Sequence, residues 1–135
     1  MRARLVTLLL LTAPAVALAA NGIDVSRAPD KVEFGSCVPS LAVENKSAET
    51  IDYLQVDLVV TLANGQERTV ELKSAYRTGI PHPIAPGGRT VLKQQLDLER
   101  ALGVPCGDIR ERKVARTICE TQAGTACASS VSVTP

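Results

Sequence analysis

Five residues have the widest chemical reach in this chain: Cys37, Cys106, Cys119, Cys127 and the lone His82. The cysteines are separated by 68, 12 and 7 residues, so none forms the close C-x2-4-C pair of a structural zinc site. A C-x-x-C redox pair is also absent, and with it the motif for thiol exchange. An even set of four in an oxidising compartment becomes two disulfides, and that is the expectation here, with no metal and no cofactor. Free thiols would reopen the metal reading. Nucleophilic hydrolysis needs a base beside its nucleophile and a third group orienting that base. His82 is the only imidazole, and no pattern marks a partner for it. Asp52 with Asp57, or Glu67 with Glu71, would supply paired carboxylates, but their alternating positions read as solvated strand charges. Gly87-Gly88 lies between strands rather than between a strand and a helix, so it is no phosphate cradle. The chain is expected not to be an enzyme.

Residues 1–20, "MRARLVTLLLLTAPAVALAA", join two arginines to an apolar run too short to span a bilayer and then to small residues. They read as a signal peptide, cleaved after Ala19 or Ala20, which makes the protein periplasmic or secreted. No cysteine follows to carry a lipid. Residues 21–135 are one domain's length. Of 15 basic and 14 acidic residues, loss of Arg2 and Arg4 leaves 13 against 14, a formal charge of −1. With no basic run, one Phe, two Tyr and no Trp, the chain offers nothing to a phosphate backbone, to stacked bases or to a membrane surface. Nucleic acid and membrane insertion are excluded as expectations, and oligomeric state is not legible.

The elements that must position these residues alternate with period two. In "IDYLQVDLVVTL" Leu54, Val56, Leu58, Val60 and Leu62 share one parity, while Tyr53, Gln55, Asp57 and Thr61 take the other, the mark of a strand with one buried face. It stops at Asn64-Gly65, which predicts a type I′ turn and a hairpin with the Val70 and Leu72 strand. Shorter runs around Val32-Glu33-Phe34, "SLAVEN", "RTVLKQQLDL" (Leu92, Leu96, Leu98), "KVARTICE" and "SSVSV" bring the count to about seven strands, with at most one helical turn near "LERALG". The pattern predicts an all-β fold, a single small antiparallel β-sandwich of the immunoglobulin or fibronectin III-like kind.

Val43-Glu44-Asn45-Lys46-Ser47, then Ile51, Leu54, Val56 and Leu58, then Pro86-Gly87-Gly88, resemble the layout of secreted fibronectin III-like and FxLYD-type modules over roughly residues 37–98. The chain lacks the buried Trp of immunoglobulin domains and any F-x-L-Y-D string. The resemblance implies a binding or adaptor role. Asn45-Lys46-Ser47 also spells a glycosylation acceptor, against which stands a plain strand-ending polar turn. The leading function is an exported, non-enzymatic protein-binding module serving as an accessory, adhesion or host-interaction factor. The alternative is a small inhibitor or immunity-type protein that blocks an exported enzyme.

Within "YRTGIPHPIAPGG", Pro81 and Pro83 stiffen the segment around His82. Three readings follow: an exposed crossover whose histidine has no role; an apolar ridge of Tyr76, Ile80, His82 and Ile84 that binds an unidentified protein partner; or metal capture by His82. For the cysteines, strand geometry ranks the pairings. A mostly extended run of thirteen residues holds Cys106 and Cys119 roughly 40 Å apart, too far to bridge. A terminal hairpin through "TQAGTA" favours Cys119–Cys127 with Cys37–Cys106. Cys127 shares parity with Val131 and Val133 whereas Cys119 is opposite in parity to Val114 and Ile118, so that pairing demands a bulge or an irregular turn to realign them.

Overall fold

The computed structural model describes residues 21–74, 82–94 and 100–135. The leader, Tyr76, Ile80, Leu96 and Leu98 fall outside these ranges. The described chain is all-β, with strands β1 (Ile23–Glu33), β2 (Ser36–Asn45), β3 (Ile51–Leu62), β4 (Glu67–Lys73), β5 (Arg89–Gln94), β6 (Ile109–Thr121) and β7 (Val131–Thr134). One 3-10 turn, Cys106–Asp108, leads into β6. Among the described residues no helix is long and apolar enough to cross a membrane.

All seven strands share one hydrogen-bonded sheet in the order β6-β3-β4-β5-β2-β1-β7, curled nearly into a barrel. This differs from two facing sheets because β4 and β5 stay paired through Leu72–Gln94 and Lys73–Lys93, where a sandwich would part. The expected antiparallel order holds for every pair but one, since β7 runs parallel to β1 along Ile23–Ser26. The alternation of a short strand sets its faces and not its direction.

The inner face is the core. Leu54, Val56, Leu58 and Val60 of β3 are fully buried with Val70 and Leu72 of β4, Ile23 and Val25 of β1, Leu41 and Val43 of β2, and Leu92 of β5. β3 sits between β4 and β6, pairing Leu58 with Val70 on one side and Val114 on the other. The middle of its outer face is buried too: Gln55 is 4% and Asp57 5% exposed, where alternation predicted solvated positions, while Tyr53, Val59 and Thr61 are half-buried. A ladder of hydrogen bonds makes that tolerable, because a buried polar group costs little only when partnered. Tyr53 Oη donates to Gln55 Oε1, Gln55 Nε2 to Asp57 Oδ1 at 2.6 Å, and Arg116 Nε to Asp57 Oδ2 at 2.8 Å. The same burial pushes the Tyr53 phenol above its ordinary pKa.

The β3–β4 hairpin forms as predicted, with a different turn. Gly65 alone adopts positive φ (82°), its N–H closing onto Leu62 O at 2.8 Å, and Asn64 Oδ1 accepts from Gln66 N at 2.9 Å. The loop is therefore three residues long with the glycine in the left-handed position, a geometry Asn64 serves by capping rather than by turning. β1 carries a register shift between Ala28 and Lys31, where Pro29 has no N–H to offer the ladder. The shift aims Asp30 at β6, whose Arg112 donates to both its carboxylate oxygens at 2.9 and 2.6 Å. That fork ties the two ends of the curled sheet together.

Candidate functional site

Of the ridge residues the Pro-rich loop suggested, Tyr76 and Ile80 lie outside the described residues, and Ile84 does not face outward. His82 is exposed, but Ile84 is 4% exposed and belongs to the core. Backbone bonds in both directions with Ile51, at 2.7 and 3.1 Å, pin Ile84 to the start of β3. Asn45 fixes it further: its amide donates to Glu49 O at 2.8 Å and Ile84 O at 2.9 Å, while Oδ1 accepts from Ser47 N and Ser47 Oγ. With all four positions used and the side chain buried, Asn45 is the strand-ending turn and not a glycosylation acceptor in the folded chain. Gly88 completes this corner, because a Cβ there would lie 2.8 Å from Ala85 O.

The carboxylates are dispersed as well. Asp57 opposes Glu71 across β3 and β4, yet Arg116 holds the first while Lys73, at 2.9 Å, and Arg100, at 3.8 Å, hold the second. A groove of about 790 Å³ crosses the outer faces of β5, β2, β1 and β7. Its charges are spent on each other or on the rim, Arg89 with Glu44 at 3.1 Å and Asp24 with Lys46 at 2.7 Å.

The four cysteines form Cys37–Cys106 and Cys119–Cys127, the favoured pairing. A break in the β3–β6 register passes over Ala115, which is the bulge that brings Cys119 inward beside Leu54. The local hairpin closes through Thr121 N donating to Thr125 O and Cys127 N to Cys119 O, after which the chain leaves β6 for β1 instead of running back along β6. Asp30 lies near the Cys37–Cys106 sulfurs, the one group of His, Cys, Asp or Glu ligand atoms close enough together to suit a metal among the described residues. The sulfurs are bonded to each other and Arg112 and Arg27 engage the carboxylate, so the donor set does not fit an ion.

The feature left unexplained by the fold is the tip of the β1–β2 hairpin. Glu33 pairs with Ser36 across a two-residue turn, Phe34-Gly35, with φ of 51° and 75°. That is the type I′ geometry, which Asn-Gly or Gly-Gly accepts at small cost and a bulky residue does not. Phe34 is the sole non-glycine residue with positive φ among the described residues, and its ring is 96% exposed. Val32, two residues earlier, is also exposed. The hairpin base is clamped from the other side by the strand-less stretch before β6. Gly103 N donates to Ser36 Oγ at 2.9 Å, Cys37 N to Val104 O at 2.8 Å, and Cys37 is bridged to Cys106. The sequence offered one signal, a glycine between two alternating runs, but Phe before it argues for strand rather than turn.

No family model matches this chain, and no curated protein matches it either. Among solved structures, IrmA from Escherichia coli superposes with a TM-score of 0.56 over 83% of this chain and 90% of its own, at 11% identity. At that identity the likeness is one of fold.

Proposed function

We propose that the protein is an exported, non-enzymatic protein-binding module, periplasmic or secreted, that engages its partner through the β1–β2 hairpin tip. The observation that carries this is Phe34, which is costly twice over. Its backbone stands in a region worth about 1 kcal/mol or more of strain for a bulky residue, and its ring contributes nothing to the core. Elsewhere the same chain is guarded. β6, an outermost strand, carries Arg110, Lys113 and Arg116 and pairs with β3 through three register breaks, and β7, at the other end, is four residues long, both devices that blunt edge pairing. A molecule that protects its edges and leaves an aromatic ring in water at a clamped turn has a use for that ring. Two disulfides suit an oxidising compartment, in keeping with export.

In this reading the chain serves as fibronectin III-like or FxLYD-type modules do, by presenting a surface. The rigid base of the hairpin also suits the second reading, an inhibitor or immunity-type protein whose tip blocks an exported enzyme. Pull-down from periplasm or culture medium with wild-type protein and with Phe34→Asn tests the proposal. Asparagine tolerates positive φ, so the variant should melt about 4 °C higher, the effect of roughly 1 kcal/mol in a domain of this size. It should also lose the partner. Capture that survives the substitution overturns this reading, and an enzyme assay on the captured protein separates module from inhibitor.

A further inference from the structure

Resting on that reading, we infer that Phe34 is received as a single aromatic plug by a preformed apolar pocket in a protein partner, rather than by a flat surface or a lipid bilayer. The ring is 96% exposed, so it leans on nothing of its own chain, and every face must be covered from outside. A two-residue turn is the narrowest tip a hairpin can present. A Cβ built on Gly35 would meet nothing within 4 Å, so there is free space around the turn for pocket walls to close. Aromatic rings take roughly 150–250 Å² out of water when fully enclosed, and a concave site achieves that where a plane reaches one side. The clamp formed by Ser36, Gly103, Val104 and the Cys37–Cys106 bridge holds the tip before binding, which reduces the ordering cost of docking. Charge argues against lipid. The residues flanking the ring, Lys31 and Glu33, are exposed and of opposite sign, and residues 21–135 carry a formal charge of −1. One ring without basic neighbours in excess does not anchor a protein to an anionic surface.

Phe34 is the chain's single phenylalanine, so 4-fluorophenylalanine labels one position for fluorine NMR. The probes are the protein captured by the wild-type pull-down and vesicles of phosphatidylcholine with phosphatidylglycerol at about 3:1, a composition that tests the anionic-lipid alternative. The expected result is a shifted, broadened resonance with the captured protein and an unmoved one with vesicles. Alongside it, Phe34→Asn should weaken affinity by about 30-fold or more, as loss of a central anchor does. Phe34→Trp should weaken it by about tenfold, because a closed pocket cannot take the extra ring. Trp binding as tightly as Phe, or tighter, overturns the pocket. So does a resonance that stays still while the partner binds, one that moves on vesicles, or one that shifts with the protein's own concentration. Failure of wild-type protein to capture anything removes the binding-module reading together with this inference, whereas capture indifferent to residue 34 removes the plug and leaves the module.

Discussion

Asp30 and Arg112 stand 82 residues apart in sequence and share a bidentate pair whose side chains are 10% and 6% exposed. Burial pushes the Asp30 carboxyl up, but the hydrogen bonds and charge of Arg112, with Arg27 beside them, outweigh it and hold the pKa below the ordinary value. Removing Arg112 leaves the Asp30 charge with only the more exposed Arg27 as a partner. Arg112→Met should therefore lower unfolding free energy by about 3 kcal/mol, and adding Asp30→Asn should recover part of the loss in urea titration. The sign of the pH effect follows from the depressed value: the contribution is present at neutral pH and is lost as pH falls through the folded pKa. Glu49 behaves alike, its carboxylate drawn down by hydrogen bonds from the Ser129 hydroxyl and from the Ala128 and Ser129 amides. The urea midpoint should be flat above about pH 5 and decline below about pH 4, less steeply in an Asp30→Asn, Glu49→Gln double variant. Neither partnership was legible in the sequence, because alternation locates a residue on a face and says nothing of which distant strand faces it. Phe34 was hidden differently: its type belongs in a strand, and the backbone puts it in a turn.

At the level of elements, β3 was readable in extent and inner face, from Leu54 to Leu62, and misread on its outer face. Val56→Asp should cost several kcal/mol, as an unpaired charge in the core. Gln55→Asp, which alternation alone makes mild, should cost about 2 kcal/mol, since it replaces the bond to Asp57 by a second carboxylate at that distance. Equal chemical-denaturation midpoints for Gln55→Asp and wild type would show that the ladder is solvated. The loop after β4 misled for a related reason. Proline and glycine around Ile84 suggest exposure, yet the pairing of Ile84 with Ile51 and the reach of Asn45 draw it into the core. Ile84→Ser should destabilise by about 3 kcal/mol, comparable to other large-to-small core changes, with thermal melting as the readout.

Across the whole molecule, strand count and disulfide pairing were legible because both follow from local spacing. The closure of the sheet was not, since it depends on the β4–β5 pairs and on the direction of β7. In the chain-entropy treatment, a bridge spanning 69 residues stabilises by about 4 kcal/mol and one spanning eight by about 2.5. Replacing Cys37 and Cys106 by serine should therefore lower the melting temperature more than replacing Cys119 and Cys127, and it should loosen the clamp under Phe34 as well. A smaller loss for the long bridge would show that the cross-link acts in the native state and not on the unfolded chain. The parallel pairing of β7 with β1 reaches furthest. Ile23 pairs with Asn45 of β2 on one side and with Val131 of β7 on the other, so the earliest strand of the fold is completed by the latest. Contacts of such long sequence separation slow folding and cannot form on a partial chain. A chain lacking its last residues would thus keep one side of Ile23–Ser26 without a sheet partner, an open edge that only the final strand closes.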